Sequence, residues 1–251
     1  MKRKVGILLV AFLFWATGGA SAAERLKVKV LASYPHDGQA FTQGLHLEGD
    51  VFYESTGLEG QSSLRKVEAR TGKVLQKVDL DRNLFGEGLA RLDTRLVQLT
   101  WQNEVAIVWD AATLTELERW RYQGEGWGLA YDGNQLIQSD GSAWLTFRDP
   151  NDFSVQGKVE VKLDGRPADQ LNELEFAEGK LYANCWGLDE ILRIDPATGI
   201  VEAVIEARGL LKPGEKLGAD VLNGIAWDGK TRTFWITGKN WPKMFQVRFE
   251  K

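Results

Sequence analysis

Trp127-Gly128-Leu129-Ala130-Tyr131-Asp132-Gly133-Asn134-Gln135-Leu136-Ile137-Gln138-Ser139-Asp140-Gly141 decides the fold. A short apolar strand opens it, Asp132-Gly133 supplies hairpin-turn chemistry, and a second strand returns along Leu136–Asp140. The opening triplet has four counterparts: Gln43-Gly44-Leu45, Glu87-Gly88-Leu89, Asn172-Glu173-Leu174 and Asn223-Gly224-Ile225. Spacings of 44, 40, 45 and 51 residues separate the five. Each is followed by a turn, a returning strand, a third strand such as Val105–Trp109, and room for a fourth such as Gln76–Leu80 or Ala203–Ala207. Ala111–Arg121 falls in this register as turn plus strand.

Four antiparallel strands every 40–50 residues is the period of a propeller blade. The fold expected is all-β, a five-bladed β-propeller of four-stranded antiparallel blades. The fifth repeat stops after its third strand. Lys27–Ser33, ahead of the first repeat, is the candidate to complete it, closing the ring and removing a sheet edge. An open β-sandwich does not explain five equivalent signatures.

The first 22 residues stand outside this pattern. Lys2, Arg3 and Lys4 precede an apolar run from Val5 to about Ala16, and Ala20 and Ala22 form an A-x-A site. This reads as a signal peptide, too short in its apolar part to span a bilayer. The expected organisation is a signal peptide at 1–22 and one propeller domain at 23–251, exported to a periplasm or the medium and free of the membrane after cleavage. Cleavage leaves 28 basic against 35 acidic residues. That balance argues against a nucleic-acid binder working by phosphate neutralisation. One Cys and 2 His nearly exclude a Cys/His zinc site, and a lone Cys185 allows no intrachain disulfide.

Register also places side chains. In a blade, the start of the first strand and the end of the second lie at the same rim. Gln43, Glu87, Trp127, Asn172 and Asn223, with Gly57, Trp101, Gly141, Trp186 and Lys239, should therefore ring one mouth of the central channel. One carboxylate, three amides, one amine and three indoles are too varied for a purely structural ring. The 10 Trp of the chain divide accordingly: Trp109, Trp120, Trp144, Trp227 and Trp235 read as packing between blades. His36 and His46 read as surface or satisfied loop residues, and Cys185 as a buried thiol. Glu173 and Glu175 fall on one face of a strand, where a structural and a chemical role are equally open.

Phe41-Thr42-Gln43-Gly44-Leu45, Phe85-Gly86-Glu87-Gly88, Leu99-Thr100-Trp101, Gly126-Trp127-Gly128-Leu129, Leu171-Asn172-Glu173-Leu174-Glu175, Asn223-Gly224-Ile225-Ala226 and Thr237-Gly238-Lys239-x-Trp241-Pro242 follow in order along the chain. Together they resemble the glutamine cyclotransferase family of plants and bacteria. The resemblance implies a five-bladed propeller enzyme without metal or other cofactor. Its partners would be peptides and proteins beginning with Gln, which it would convert to pyroglutamate with release of ammonia, acting as a monomer. It implies Glu87 as the acid/base group and Asn172 and Lys239 as polar substrate contacts, and the chemistry makes both candidate donors to an oxyanion. Phe41, Phe85, Trp101, Trp127 and Trp186 would form an aromatic pocket, and Gln43 a polar substrate contact. Two other functions compete. A glycan-binding propeller explains the indoles but not a single Glu at the rim. A glycosidase needs two facing carboxyls, and Glu173 or Glu125 would have to be the second.

Overall fold

The computed structural model describes residues 22–251, so the expected signal peptide lies outside the described residues except for Ala22. Strand β1 (Glu24–Pro35) comes first. Next are β2 (Thr42–Glu48), β3 (Val51–Thr56), β4 (Ser63–Glu68) and β5 (Val74–Asp79), then β6 (Gly86–Leu92), β7 (Arg95–Thr100), β8 (Val105–Asp110) and β9 (Glu116–Arg121). β10 (Leu129–Tyr131), β11 (Leu136–Gln138), β12 (Trp144–Arg148) and β13 (Val155–Glu160) follow, with a small ribbon of β14 (Lys162–Leu163) and β15 (Arg166–Pro167). The chain ends with β16 (Leu171–Ala177), β17 (Lys180–Cys185), β18 (Glu190–Ile194), β19 (Val201–Glu206), β20 (Leu222–Asp228), β21 (Thr233–Gly238) and β22 (Lys243–Glu250). One 3-10 turn, Pro213–Glu215, interrupts the strands.

The fold is all-β. β2–β5, β6–β9 and β10–β13 are three four-stranded antiparallel sheets, each in sequence order. The remaining strands form one eight-stranded sheet ordered β16-β17-β18-β19-β1-β22-β21-β20. β1 completes the C-terminal group, pairing antiparallel with β22 from Lys27↔Glu250 to Pro35↔Lys243. Its first residues also pair parallel with β19, Glu24↔Ala203 to Lys27↔Glu206. This second pairing, and the β14–β15 ribbon, go beyond what the repeat pattern indicates.

The core follows from strand alternation. Every neighbouring pair of four-stranded groups encloses a hydrophobic cluster. Leu64 and Leu89 meet between the first and second groups, Val97 and Leu136 between the second and third. Ile137 and Leu181 meet between the third and fourth, Ile191 and Ile225 between the fourth and last. Phe52 and Trp235 fill the last-to-first junction. The first strands adjoin in the same cycle: β2 lies against β6 and β20, β10 against β6 and β16, and β16 against β20. Truncating a buried leucine such as Leu89 to alanine would cost about 2–5 kcal/mol.

Trp109, Trp120 and Trp235 are buried in these clusters, and Trp227 packs at the edge of one. Trp144 departs from the expectation: it is 44% exposed. Pleat alternation gives the inward face of β12 to Leu145, and leaves Trp144 at the open end of the other face. His36 is buried and satisfied, its Nδ1 2.7 Å from the Trp241 carbonyl and its Nε2 2.9 Å from Glu54. His46 sits within β2, not in a loop. Cys185 is buried, which pushes its thiol up to about 12.

Candidate active site

The site residues leave the strand ladder at an irregularity that recurs. Pairing of β2 with β3 shifts register between Thr42 and Gly44, and that of β6 with β7 between Gly86 and Leu89. β16 and β20 shift likewise between Leu171 and Leu174, and between Leu222 and Ile225. Gln43, Glu87, Asn172 and Asn223 lie in these shifts, the last three together with Gly88, Glu173 and Gly224. A bulge of this kind re-aims a side chain that regular pleating would hold in the sheet. In the third group β10 starts only at Leu129, and Trp127 is held by its N–H to the Ser139 carbonyl at 3.0 Å.

Phe41, Gln43, Phe85, Glu87, Trp101, Trp127, Asn172, Trp186 and Lys239 line one cavity of about 520 Å³. The rings form the wall. Phe41 meets Phe85 edge-on at 6.1 Å, Phe85 meets Trp101 at 5.7 Å, and Trp127 meets Trp186 at 6.3 Å. Two rim glycines make room for them. A Cβ on Gly57 would lie 2.3 Å from the Phe85 ring, and one on Gly141 2.8 Å from Trp127.

Glu87 is 4% exposed at the base. Burial pushes its carboxyl well above the usual range, the charge of Lys239 opposes this, and that of Glu125 adds to it. Gln43 Nε2 donates to Glu87 Oε1 at 2.8 Å. Asn223 Nδ2 in turn donates to Gln43 Oε1 at 3.1 Å and to the Thr42 carbonyl at 2.9 Å. The Asn223 contact therefore decides which end of the Gln43 amide faces Glu87. Asn223 belongs to the rim register but lies beneath the cavity, outside its lining.

Lys239 is buried, which lowers its pKa, while Glu87 and Asp220 pull the other way. Its Nζ lies 4.9 Å from the centre of the Phe41 ring, within reach of a cation–π contact. Asn172 is buried, and its Oδ1 has no partner among the described residues. A buried acceptor left open costs free energy until something donates to it. Among the described residues no group of three or more His, Cys, Asp or Glu is placed to hold a metal ion.

Two acidic residues carry contacts that the sequence did not specify. Glu125 accepts the indole N–H of both Trp101 (2.8 Å) and Trp127 (2.9 Å) on Oε2. Glu173 takes the place that glycine holds in the other signatures. Its carboxyl accepts the backbone N–H of Leu45 at 3.2 Å and of Ile225 at 2.8 Å, tying β16 to β2 and β20.

Fold and pocket together define an all-β protein with an acidic group sealed in an aromatic cup. The chain belongs to the glutamine cyclotransferase family, whose sequence model matches residues 6–249. It is 40% identical to the glutaminyl-peptide cyclotransferase of Arabidopsis thaliana over 98% of this chain and 81% of that protein. The crystal structure of Myxococcus xanthus glutaminyl cyclase superposes with a TM-score of 0.82 at 40% identity, covering 91% of this chain and 98% of that one.

Proposed function

We propose that the protein is a glutaminyl-peptide cyclotransferase, acting on peptides and proteins with an N-terminal Gln and releasing pyroglutamyl product and ammonia. The observation that carries this reading is Glu87, buried at the base of an aromatic cavity that also presents Gln43, Asn172 and Lys239. Membership of the family, and the names of both relatives, favour it over a glycan-binding or glycosidase function.

The α-amine attacks the γ-carboxamide carbon, forming the ring C–N bond. Protonated Glu87 gives its proton to the amide nitrogen, the old C–N bond breaks, and ammonia leaves. Glu87 then takes the extra proton from the new ring nitrogen and is restored. Such a shuttle is worth roughly 10²–10⁴-fold. It needs a carboxyl that holds a proton near neutrality, in keeping with the upward shift from burial. Lys239 donates to the oxyanion, and Asn172 holds the carboxamide. Closure is intramolecular, so the ring wall works by folding the Gln side chain back on its own amine. No metal or cofactor enters this scheme.

The five four-stranded groups are, in this reading, the blades of a five-bladed propeller, with β1 as the outer strand of the last. Cyclic adjacency of the first strands and a hydrophobic cluster at each junction support it. Residues 23–251 form one catalytic domain, exported after cleavage near Ala22 and working as a monomer without nucleic acid or membrane. Incubation with a Gln-initiated peptide tests the function. Loss of the mass of ammonia, absent with a peptide whose amine is acetylated, is the expected result; an unchanged mass would refute the reading.

A further inference from the structure

Glu125 lies between β9 and β10, outside the repeat register, and the proton shuttle leaves it without a task. Its surroundings are specific. One oxygen, Oε2, accepts from two indoles at once, and Oε1 accepts from Gln102 Nε2 at 2.8 Å. The backbone carbonyl of Glu125 accepts from Gln138 Nε2 at 3.0 Å. The Oε1 of that same amide accepts from Arg148 Nε, and Arg148 is buried against the Phe153 ring at 4.5 Å. Glu125 is thus anchored from behind while its carboxylate holds the cavity wall in front.

The backbone N–H of Gly126 donates to the Trp101 carbonyl at 2.9 Å and holds the two loops together, but that bond leaves the indole rings free to turn, and it is Glu125 that joins their N–H groups. Trp101 follows β7 and Trp127 precedes β10, so they belong to different sheets. Trp101 is 36% exposed. Ordering a large exposed ring costs rotamer entropy. A shared anion removes that freedom before substrate arrives.

We propose that Glu125 is a positioning residue, whose single carboxylate oxygen joins the indoles of Trp101 and Trp127 into one rigid wall beside Glu87. The role rests on the cyclotransferase reading of the pocket. Charge accompanies the geometry. Burial favours a neutral Glu125, but the bonds from Gln102, Trp127 and Trp101 outweigh it and keep the carboxyl below its usual range. The charged groups reaching Glu87 are Lys239, which favours its ionised form, and Glu125, which opposes it; the Tyr122 hydroxyl also senses Glu87.

Two variants separate geometry from charge. Glu125→Ala is expected to lower kcat/KM for a Gln-initiated peptide about 10- to 100-fold. It should also raise acrylamide quenching of tryptophan emission in the substrate-free protein, an increase that Trp101→Phe diminishes. Glu125→Gln keeps a carbonyl acceptor and loses the charge. Its kcat/KM should fall less, and the enzyme-dependent limb of its pH profile should move down by roughly half a unit. Unchanged quenching would overturn the proposal, whatever happens to the rate or to the limb. If Glu125→Ala does not fold, the quenching of Glu125→Gln decides: a smaller rise is expected from the weaker neutral acceptor, and no rise would overturn the proposal. A wild-type protein that releases no ammonia refutes the cyclotransferase reading instead, and quenching still decides whether Glu125 fixes the indoles.

Discussion

Glu87 and Glu173 occupy neighbouring register places on β6 and β16 and are both buried, yet they belong to different regions. Glu87 lines the cavity, where the side chain of Gln43 donates to it and open space lies beside it. Glu173 lies one register place further along its strand, where backbone N–H groups of two other strands are its partners. Burial pushes both carboxyls well above the usual range. An elevated pKa therefore does not by itself mark the chemical group. The distinction lies in what each acid faces, open space that a substrate can enter or main chain that must stay fixed.

Substitution should pull the two apart. The largest effect is expected from Glu87→Gln, which should reduce kcat by about 10²–10⁴-fold while urea unfolding stays near wild type. An active Glu87→Gln protein would remove this carboxyl from the mechanism. Lys239→Met comes next. It should lower kcat by about 10²–10³-fold with a smaller change in KM; a change confined to KM would make Lys239 a binding group only. Glu173→Gln should do the reverse of Glu87→Gln. It should lose about 1–3 kcal/mol of stability in urea because one N–H faces an amide NH₂, with kcat per folded molecule little altered.

The last effect is on pH dependence and not on rate, and concerns Glu175, whose carboxyl accepts the Trp227 N–H at 2.7 Å and is pushed by burial from an ordinary 4.5 up to about 8. The folded protein then binds more protons than the unfolded chain between these values. Stability from this group is present below 4.5 and declines as pH rises through about 8. Glu175→Gln should flatten that decline in unfolding midpoints measured across the interval. A slope unchanged by the substitution would place Glu175 in water. Glu54 works in the opposite sense. Burial disfavours its charge, but Arg65 and His36 more than offset this and hold it far below the usual range. Its contribution is lost on acidification.

The five signatures made much of this legible, because a repeat converts sequence position into place at a rim. Gln43, Glu87, Trp127, Asn172, Trp101, Trp186 and Lys239 were found by that register, and all line the cavity. Phe41 and Phe85 lie outside it and came from the family resemblance alone. Glu125 was not legible as a brace, since its partnership with Trp101 joins loops 24 residues apart that no periodicity relates. Asn223 shares the rim register, but only the hydrogen bond to Gln43 shows that it works from underneath. Trp144 was misplaced because apolar character does not reveal which face of a strand is covered near its open end.

The pairing of β1 has a consequence for how the molecule is made. Its antiparallel partner, β22, is the last strand of the chain. The first of the described strands to be synthesised therefore waits for the last of them, and seating it is a contact of long sequence separation. Such closure is slow. Until it happens, the final group of strands lacks its outer member and shows an open edge to any other extended chain.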